Sequence, residues 1–380
     1  MANIPTSLVS KKKKKAVLIG TITGKFSQFL PEETLEELDL LVRTLGIEVV
    51  FKTLKRLREI NPAYFIGKGA LMEISSLAKD KGAEYLIFDE KLSYSQIRNI
   101  ANLTNLFVLD RPHVIIEIFE KRAKTREAKI QVELARLKME LPAIVGIGRS
   151  LDQQMGIVGI RGGPGEKYRE LKRRTVEKKI KQLEKQLTLI KKRRITRRKL
   201  RNRSGIPIVS IVGYTNAGKT TLFNAITSEK AYTENMLFAT LDTLVRKSYL
   251  KGLGKEIIFV DTVGFIQKLP PILISSFRST LEEINDSDLI LLTVDASNIS
   301  YRKHIETVRK ILREILIRDI PIIIVYNKID LLEGFQIEKL KSGDPEGVFV
   351  SALKGYGIEK LKERITQLLS GINSNAFKEA

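Results

Sequence analysis

Along residues 16–110, short apolar runs alternate with longer runs whose apolar positions recur every three or four residues. Residues 16–21, 47–54, 84–89 and 106–110 are apolar stretches of strand length, and each predicts a strand buried in a sheet. Between them, residues 32–45, 69–81 and 93–102 carry the helical period. The first of these helices has Pro31 at its start, acids in its first turn and Gly46 at its end, the residue types that helix termini favour. Strands separated by helices, rather than by tight turns, predict a parallel α/β sheet.

The period changes after Pro112. Residues 113–140 read as one long helical stretch, with Ile130, Leu134, Leu137 and Leu141 spaced 4, 3 and 4. A glycine-rich segment follows, holding Gly146, Gly148, Gly156, Gly159, Gly162, Gly163 and Gly165. A second long helix is expected over about 166–200, where Val176, Ile180, Leu183, Leu187 and Ile190 are spaced 4, 3, 4 and 3. Two such seams joined by a loop predict an antiparallel helical hairpin, with the seams packed and the Lys and Arg between them on the outer faces. Gly205-Ile206-Pro207 ends the hairpin, and beyond it strand and helix alternate again, beginning with an apolar strand at 208–212. The expected organisation is a tail at 1–15, a small N-terminal parallel α/β domain at 16–112, the hairpin at 113–204 and a doubly wound α/β domain at 205–380.

Composition narrows the chemistry. The 380 residues suffice for two or three domains with cores of their own. The absence of cysteine excludes disulfides, thiolate metal sites and cysteine nucleophiles, and suits an intracellular protein. His113 and His304 are the only histidines and lie far apart, which argues against a histidine metal site and reads each as a helix residue. No apolar run reaches the roughly 18 residues that span a bilayer, and the run after Lys11–Lys15 is too short for a signal segment. A soluble, cytoplasmic protein is expected.

Charge is unevenly spread. Residues 121–203 hold 27 Lys and Arg against 8 Asp and Glu, an excess of +19 out of the chain's formal +22. A solvated helix normally alternates signs, and this stretch does not. Such density calls for a polyanion, with nucleic acid the usual one.

The segment Gly213-Tyr214-Thr215-Asn216-Ala217-Gly218-Lys219-Thr220 fits the phosphate-binding pattern G-x-x-x-x-G-K-[ST], and it lies between a strand and a helix expected over 219–227. Glycines let backbone N–H groups turn toward phosphates, and the helix N-terminus adds positive potential. Lys219 would neutralise the β- and γ-phosphates, and Thr220, followed by Thr221, would ligate Mg²⁺. Asn327-Lys328-Ile329-Asp330 follows the apolar strand 322–326. The Asp330 carboxylate can accept from guanine N1–H and the 2-amino group, a donor pair that adenine lacks. Asn327 can bridge to the phosphate loop, and the Lys328 stem can cover the base. Ser351-Ala352-Leu353-Lys354 ends the strand 348–350 and offers backbone amides to guanine O6. Asp261-Thr262-Val263-Gly264 ends a further strand, 41 residues after Thr220 and 66 before Asn327. There Asp261 would hold Mg²⁺ through water, and Gly264 would offer its N–H to the γ-phosphate, a hydrogen bond that ends when hydrolysis removes that phosphate. In Leu237-Phe238-Ala239-Thr240-Leu241-Asp242-Thr243, position alone leaves both Thr240 and Thr243 as the threonine that completes the Mg²⁺ shell.

Four such segments in this order resemble a translation-factor-class P-loop GTPase. The chain more closely resembles the HflX family of ribosome-associated GTPases, in the Obg-HflX group. The resemblance rests on GYTNAGKTTLFN at 213–224, FATLD at 238–242 and DTVGFIQKLP at 261–270, and outside them on FIGKG at 65–69, ELARLKMELP at 133–142 and RGGPGE at 161–166. It implies GTP as substrate, Mg²⁺ as cofactor, and Lys219, Thr240 and Gly264 as the residues serving hydrolysis, with Thr240 favoured over Thr243. It also implies a monomer whose partner is the ribosome, through rRNA of the large subunit, in splitting or rescue of stalled ribosomes under stress.

Several positions depart from the commonest patterns or admit two readings. Phe265 stands where many GTPases place a catalytic glutamine, a hydrophobic residue there being shared with HflX-like proteins. Hydrolysis is therefore expected to be slow and partner-stimulated, and Gln267 is two positions too far along to substitute directly. The glycine-rich segment has one glycine more than the family's usual R-G-P-G-E. Asn216 resembles a K⁺ ligand of some related GTPases, or it braces the loop. Lys68 in Gly67-Lys68-Gly69 either binds phosphate or merely starts a helix. The alternative function is an RNA-binding or RNA-remodelling protein regulated by GTP, with the N-terminal domain doing the work. ATP use there is possible in family terms, though no second phosphate loop is visible.

Overall fold

A computed structural model describes residues 14–23, 30–152, 164–202, 205–227, 237–238, 243–270, 272–273 and 282–376. The chain divides into two compact units. One comprises Met1–Lys121 and Lys129–Leu187, the other Arg122–Ala128 and Thr188–Ala380. Among the described residues no helix is long and apolar enough to cross a membrane.

The first unit is built on β1 (Lys15–Thr23), β2 (Glu48–Leu57), β3 (Tyr85–Phe88) and β4 (Phe107–Asp110), with α1 (Pro31–Thr44), α2 (Lys68–Asp80) and α3 (Tyr94–Thr104) between them. The strands pair in the order β2-β1-β3-β4, all parallel. Val17 and Ile19 of β1 and Leu86 and Phe88 of β3 pack with Leu71, Ile74 and Ala78 of α2 and Ile100 of α3. The residues at the helix ends account for the limits. Glu33 reaches back to the Leu30 N–H at the start of α1. Ser93 and Gln96 satisfy each other's backbone N–H groups at the start of α3, a capping box.

The stretch 113–140 is not one helix. Helix α4 (Arg111–Arg122) ends, and α5 (Arg126–Asp152) begins after a break. Thr125 supplies the reason: its hydroxyl accepts the Ala128 N–H at 3.1 Å, the bond of an N-cap residue. Helix α5 also runs through Pro142, Gly146 and Gly148, so these two glycines belong to a helix rather than to the expected loop. The rest of that loop, residues 153–163, lies outside the described residues. Helix α6 spans Pro164–Asn202. Ile130, Leu134, Ile180 and Leu183 of the two seams are buried. Lys138 pairs with Glu184 at 2.7 Å, and Lys179 pairs with Glu133.

The second sheet is built from β5 (Ile208–Gly213), β6 (Leu244–Leu250), β7 (Lys255–Asp261), β8 (Leu289–Asp295), β9 (Ile322–Asn327) and β10 (Val348–Phe349). The order is β10-β9-β8-β5-β7-β6, parallel except for the antiparallel edge pair β6–β7. Successive residues of the central strands face opposite sides. Val209 and Ile211 pack with Leu222 and Phe223 of α7 (Lys219–Thr227) and Leu361 and Ile365 of α10 (Ile358–Ala376). Val212 and Tyr214 pack with Ile305, Val308 and Leu312 of α8 (Tyr301–Ile315). Helix α9 (Gly334–Gly343) lies between β9 and β10 in the chain. A mainly parallel sheet with helices on both faces is the doubly wound architecture, whose ligands sit beyond the carboxyl ends of the strands.

Candidate nucleotide site

Four of the motif segments emerge from the carboxyl ends of β5, β7, β9 and β10, at one edge of the second sheet. The loop after β5 is closely fitted. Gly218 has a left-handed backbone (φ 86°), and a Cβ there would stand 2.2 Å from Asn327 Nδ2. Only glycine meets both conditions. Asn216 is also left-handed (φ 61°), a conformation that Asn tolerates better than most residues. Its side chain is exposed and makes no hydrogen bond among the described residues.

Lys219 opens α7 and is buried, and its ammonium donates to the Tyr214 carbonyl at 2.8 Å. Burial pulls its pKa down to about 8, against the opposing pull of Asp261. A buried ammonium held by one carbonyl is poised to exchange that partner for phosphate oxygens. A Cβ at Gly264 would stand 2.8 Å from Lys219 Nζ, which puts the Asp261–Gly264 turn directly over this charge.

That turn is tied to the phosphate loop by main chain. Thr215 N–H donates to Phe265 O at 2.7 Å, and Phe265 N–H donates to Gly213 O at 3.1 Å. The Phe265 side chain is buried in the core beside Tyr214 and Ile290 and does not project as a catalytic side chain would. Gln267 is buried as well. Thr262 anchors the turn through its hydroxyl, which donates to Ile211 O at 2.8 Å.

Thr220 Oγ1 donates to Asp261 Oδ2 at 2.7 Å. The two side chains that Mg²⁺ would engage thus meet at the mouth of the loop, and the pair fits the ion. Mg²⁺ characteristically takes one or two protein oxygens, substrate phosphates and water. Among the described residues no group of three or more His, Cys, Asp or Glu could hold a metal. Ala239, Thr240, Leu241 and Asp242 lie outside the described residues. Phe238 is buried with φ 55°, and Thr243 is partly exposed.

Asn327 is buried and links two loops. Its Nδ2 donates to Ala217 O, and its Oδ1 accepts from Ala352 N–H, both at 2.9 Å. Lys328 has φ 64° and turns its ammonium to Asp295 at 2.6 Å. The Asp330 side chain is largely buried, 3.8 Å from Lys354 Nζ. Ile329 N–H donates to Val350 O, drawing this segment onto the one after β10. In that segment Ser351 N–H donates to Tyr356 O, and Lys354 N–H to Ser351 Oγ. The Leu353 N–H makes no hydrogen bond among the described residues.

Two aromatic contacts that the sequence did not indicate complete the site. Tyr214 stacks on His304 of α8, with centroids 3.8 Å apart and planes 8° apart. Tyr326, the residue before Asn327, stacks on Phe349 at 4.9 Å. In the first unit, Lys68 is the first residue of α2. The preceding turn is fixed by mutual Asn61–Phe65 backbone bonds and by Asn61 Oδ1, which accepts from Ala63 and Tyr64 N–H, consistent with a helix start.

Comparison with known proteins agrees with this geometry. Residues 32–120 match the family described as GTP-binding GTPase N-terminal, residues 122–201 GTP-binding GTPase Middle Region, and residues 208–328 50S ribosome-binding GTPase. The chain is 40% identical over 361 residues to the GTPase HflX of Caldanaerobacter subterraneus subsp. tengcongensis, covering 95% of this chain and 82% of that one. It is 39% identical over 348 residues to the GTPase HflX of Escherichia coli strain K12, covering 91% and 81%. A crystal structure of SsGBP in complex with GDP is similar, with a TM-score of 0.52 and 28% identity, covering 95% of this chain and 99% of that one.

Proposed function

The chain belongs to the HflX family of GTPases and hydrolyses GTP, and from that premise we propose that it attaches to the large ribosomal subunit while GTP is bound and lets go after hydrolysis. The observation that carries the proposal is the +19 charge excess of residues 121–203, in a stretch that leads straight into the phosphate loop. Such a surface neutralises rRNA phosphates without reading bases. The match of residues 208–328 to a family described as ribosome-binding points the same way. Splitting or rescuing ribosomes under stress, as a cytoplasmic monomer, is the role this reading assigns.

In this reading the amides of residues 213–221 cradle the phosphates, and Lys219 leaves the Tyr214 carbonyl for the β- and γ-phosphates. Asp330 accepts from the guanine edge, Leu353 offers its N–H to O6, and Asn327 keeps the phosphate and base loops in register. Thr220, Asp261 and Thr240 would hold Mg²⁺, which would neutralise charge on the transferring phosphoryl group. Gly264 donates its N–H to the γ-phosphate. Phe265 is locked in the core, so no side chain at that position orders the attacking water. A slow intrinsic rate and stimulation by the partner follow. Asn216, exposed and unbonded within the loop, would serve as a K⁺ ligand, and the ion would supply positive charge to the transferring phosphoryl group. Equal hydrolysis rates in KCl and NaCl at matched ionic strength would remove that element.

The test is co-sedimentation with 50S subunits in GDP, GTP and a non-hydrolysable GTP analogue. Binding in the analogue and little in GDP is expected. Charge reversal of Arg193, Arg194, Arg197 and Arg198 should abolish it and leave GTP affinity intact. Attachment that ignores the nucleotide would overturn the switch and favour an RNA-remodelling module regulated by GTP.

A further inference from the structure

We infer that His304 is a positioning residue for GTP turnover and that it acts through Tyr214. The inference rests on the nucleotide reading above. Tyr214 occupies an unusual place in the chain. Its carbonyl holds the Lys219 ammonium at 2.8 Å. Its two neighbours, Gly213 and Thr215, make the pair of main-chain bonds to Phe265. One residue therefore sits at the joint between the loop that cradles phosphates and the turn that ends in Gly264. His304 holds that joint from the side-chain direction, beside the apolar packing of Tyr214 in the core. The two rings lie face to face at 3.8 Å and 8°, and both residues are buried.

The imidazole is held in turn by its helix. Ile305, Val308 and Leu312 pack α8 into the core beneath the sheet, so the ring comes from a rigid element rather than from a loop. One turn earlier on the same helix, Tyr301 meets the edge of Tyr326 at 6.1 Å. Tyr326 precedes Asn327. Helix α8 thus touches the phosphate loop through the His304–Tyr214 stack and the base-binding strand through Tyr301.

This arrangement makes a specific demand. A triphosphate uses Gly264 and Lys219 together, whereas a diphosphate does not reach Gly264. Loosening Tyr214 should therefore cost GTP more than GDP. A residue that merely stabilised the fold would weaken both alike.

The experiment compares His304→Leu, which keeps bulk but no flat face, with His304→Phe, which keeps the face. Dissociation constants are measured for GDP and for a non-hydrolysable GTP analogue, together with kcat and KM. His304→Leu should weaken analogue binding by about five- to tenfold and GDP binding by less than about twofold, with a matching fall in kcat/KM. His304→Phe should restore both. In a Tyr214→Leu background the His304→Leu penalty should vanish, because its route is gone. Equal losses for GDP and analogue, no loss in either, failure of Phe to restore, or a penalty that persists without Tyr214 would each overturn the assignment. If His304→Leu does not fold, the Phe variant and the Tyr214→Leu single variant decide: Phe must behave as wild type, and Tyr214→Leu must show the GTP-selective loss. Failure of the wild-type chain to bind guanine nucleotide at all would instead sink the function on which the inference stands.

Discussion

The four-stranded and six-stranded sheets are both parallel at their centres, and both carry polar residues at the carboxyl ends of their strands. In the first, Asp89 follows β3, Asp110 ends β4 and Arg111 comes directly after it. Arg111 is fully buried, its guanidinium 3.1 Å from Glu37 and 3.4 Å from Asp89, and it also donates to Thr34 O. Asp110 accepts from Leu92 N–H and from His113 N–H and Nδ1. In the second sheet, the strand ends carry an open-ended lysine, a Thr–Asp pair and loops joined by Asn327. The same architecture thus ends in an ionic plug on one side and in a cradle on the other. Strand ends of a parallel sheet are where a ligand can sit. Whether one does depends on how far the protein's own charges there neutralise one another.

The comparison breaks most sharply at the base. If the second sheet's polar groups are reserved for a ligand, Asp330→Asn should change that ligand rather than the fold. GTP affinity should fall by about a thousandfold or more, since the guanine donor pair loses its acceptor. Affinity for xanthosine triphosphate should rise, and thermal stability should stay within about a degree. Competition of the two nucleotides against a fluorescent GDP reads both. Unaltered GTP affinity would mean that Asp330 does not face the base.

The plug makes the opposite prediction. Arg111→Met removes the guanidinium that pairs with the buried carboxylates of Glu37 and Asp89. The cost is about 3–5 kcal/mol, a large share of a domain's stability. Urea unfolding should show an early transition from the N-terminal unit, and GTP binding should survive it. A variant as stable as the parent would show that the plug is not what closes those strand ends.

Much of this contrast is legible in the sequence, and the reason lies in distance along the chain. The phosphate loop is legible because its glycines, Lys219 and Thr220 fall within eight residues and sit between a strand and a helix. Strands such as β3 and β5 are legible because burial on both faces leaves uninterrupted apolar runs, whereas the edge strand β6, with exposed Arg246 and Lys247, carries no such run. The break before α5 escapes the periodicity because the helical pattern continues across Ala123-Lys124-Thr125, and only the Thr125 hydroxyl marks the cap. The plug is invisible because Arg111 and Glu37 are separated by 74 residues and nothing local marks either as buried. His304 is likewise 90 positions from Tyr214 in the sequence, and a single helix histidine reveals nothing of the ring it covers. Phe265 shows in the sequence that a glutamine is absent, but only packing shows that its ring is core.

The smallest effect tests the open end of the cradle. Burial lowers the Lys219 pKa from 10.5 to about 8 in the nucleotide-free protein. The cost of burying the ammonium is therefore present in full below pH 8, and it is relieved as pH rises from 8 toward 10.5. Phosphate oxygens favour the ammonium, so a bound nucleotide returns the proton to Lys219. Above about pH 8, binding must take up a proton, and affinity for GDP should fall by up to about tenfold per pH unit. Below that pH the lysine adds no slope. The N-terminal plug, which contains no lysine, should leave that unit's urea midpoint without the same inflection. Titrations of fluorescent GDP from about pH 7 to about 9.5 provide the check, with Lys219→Met as the control in which the slope disappears. A flat profile in the parent would mean that Lys219 already has a partner as good as phosphate, and the cradle would then be as closed as the plug.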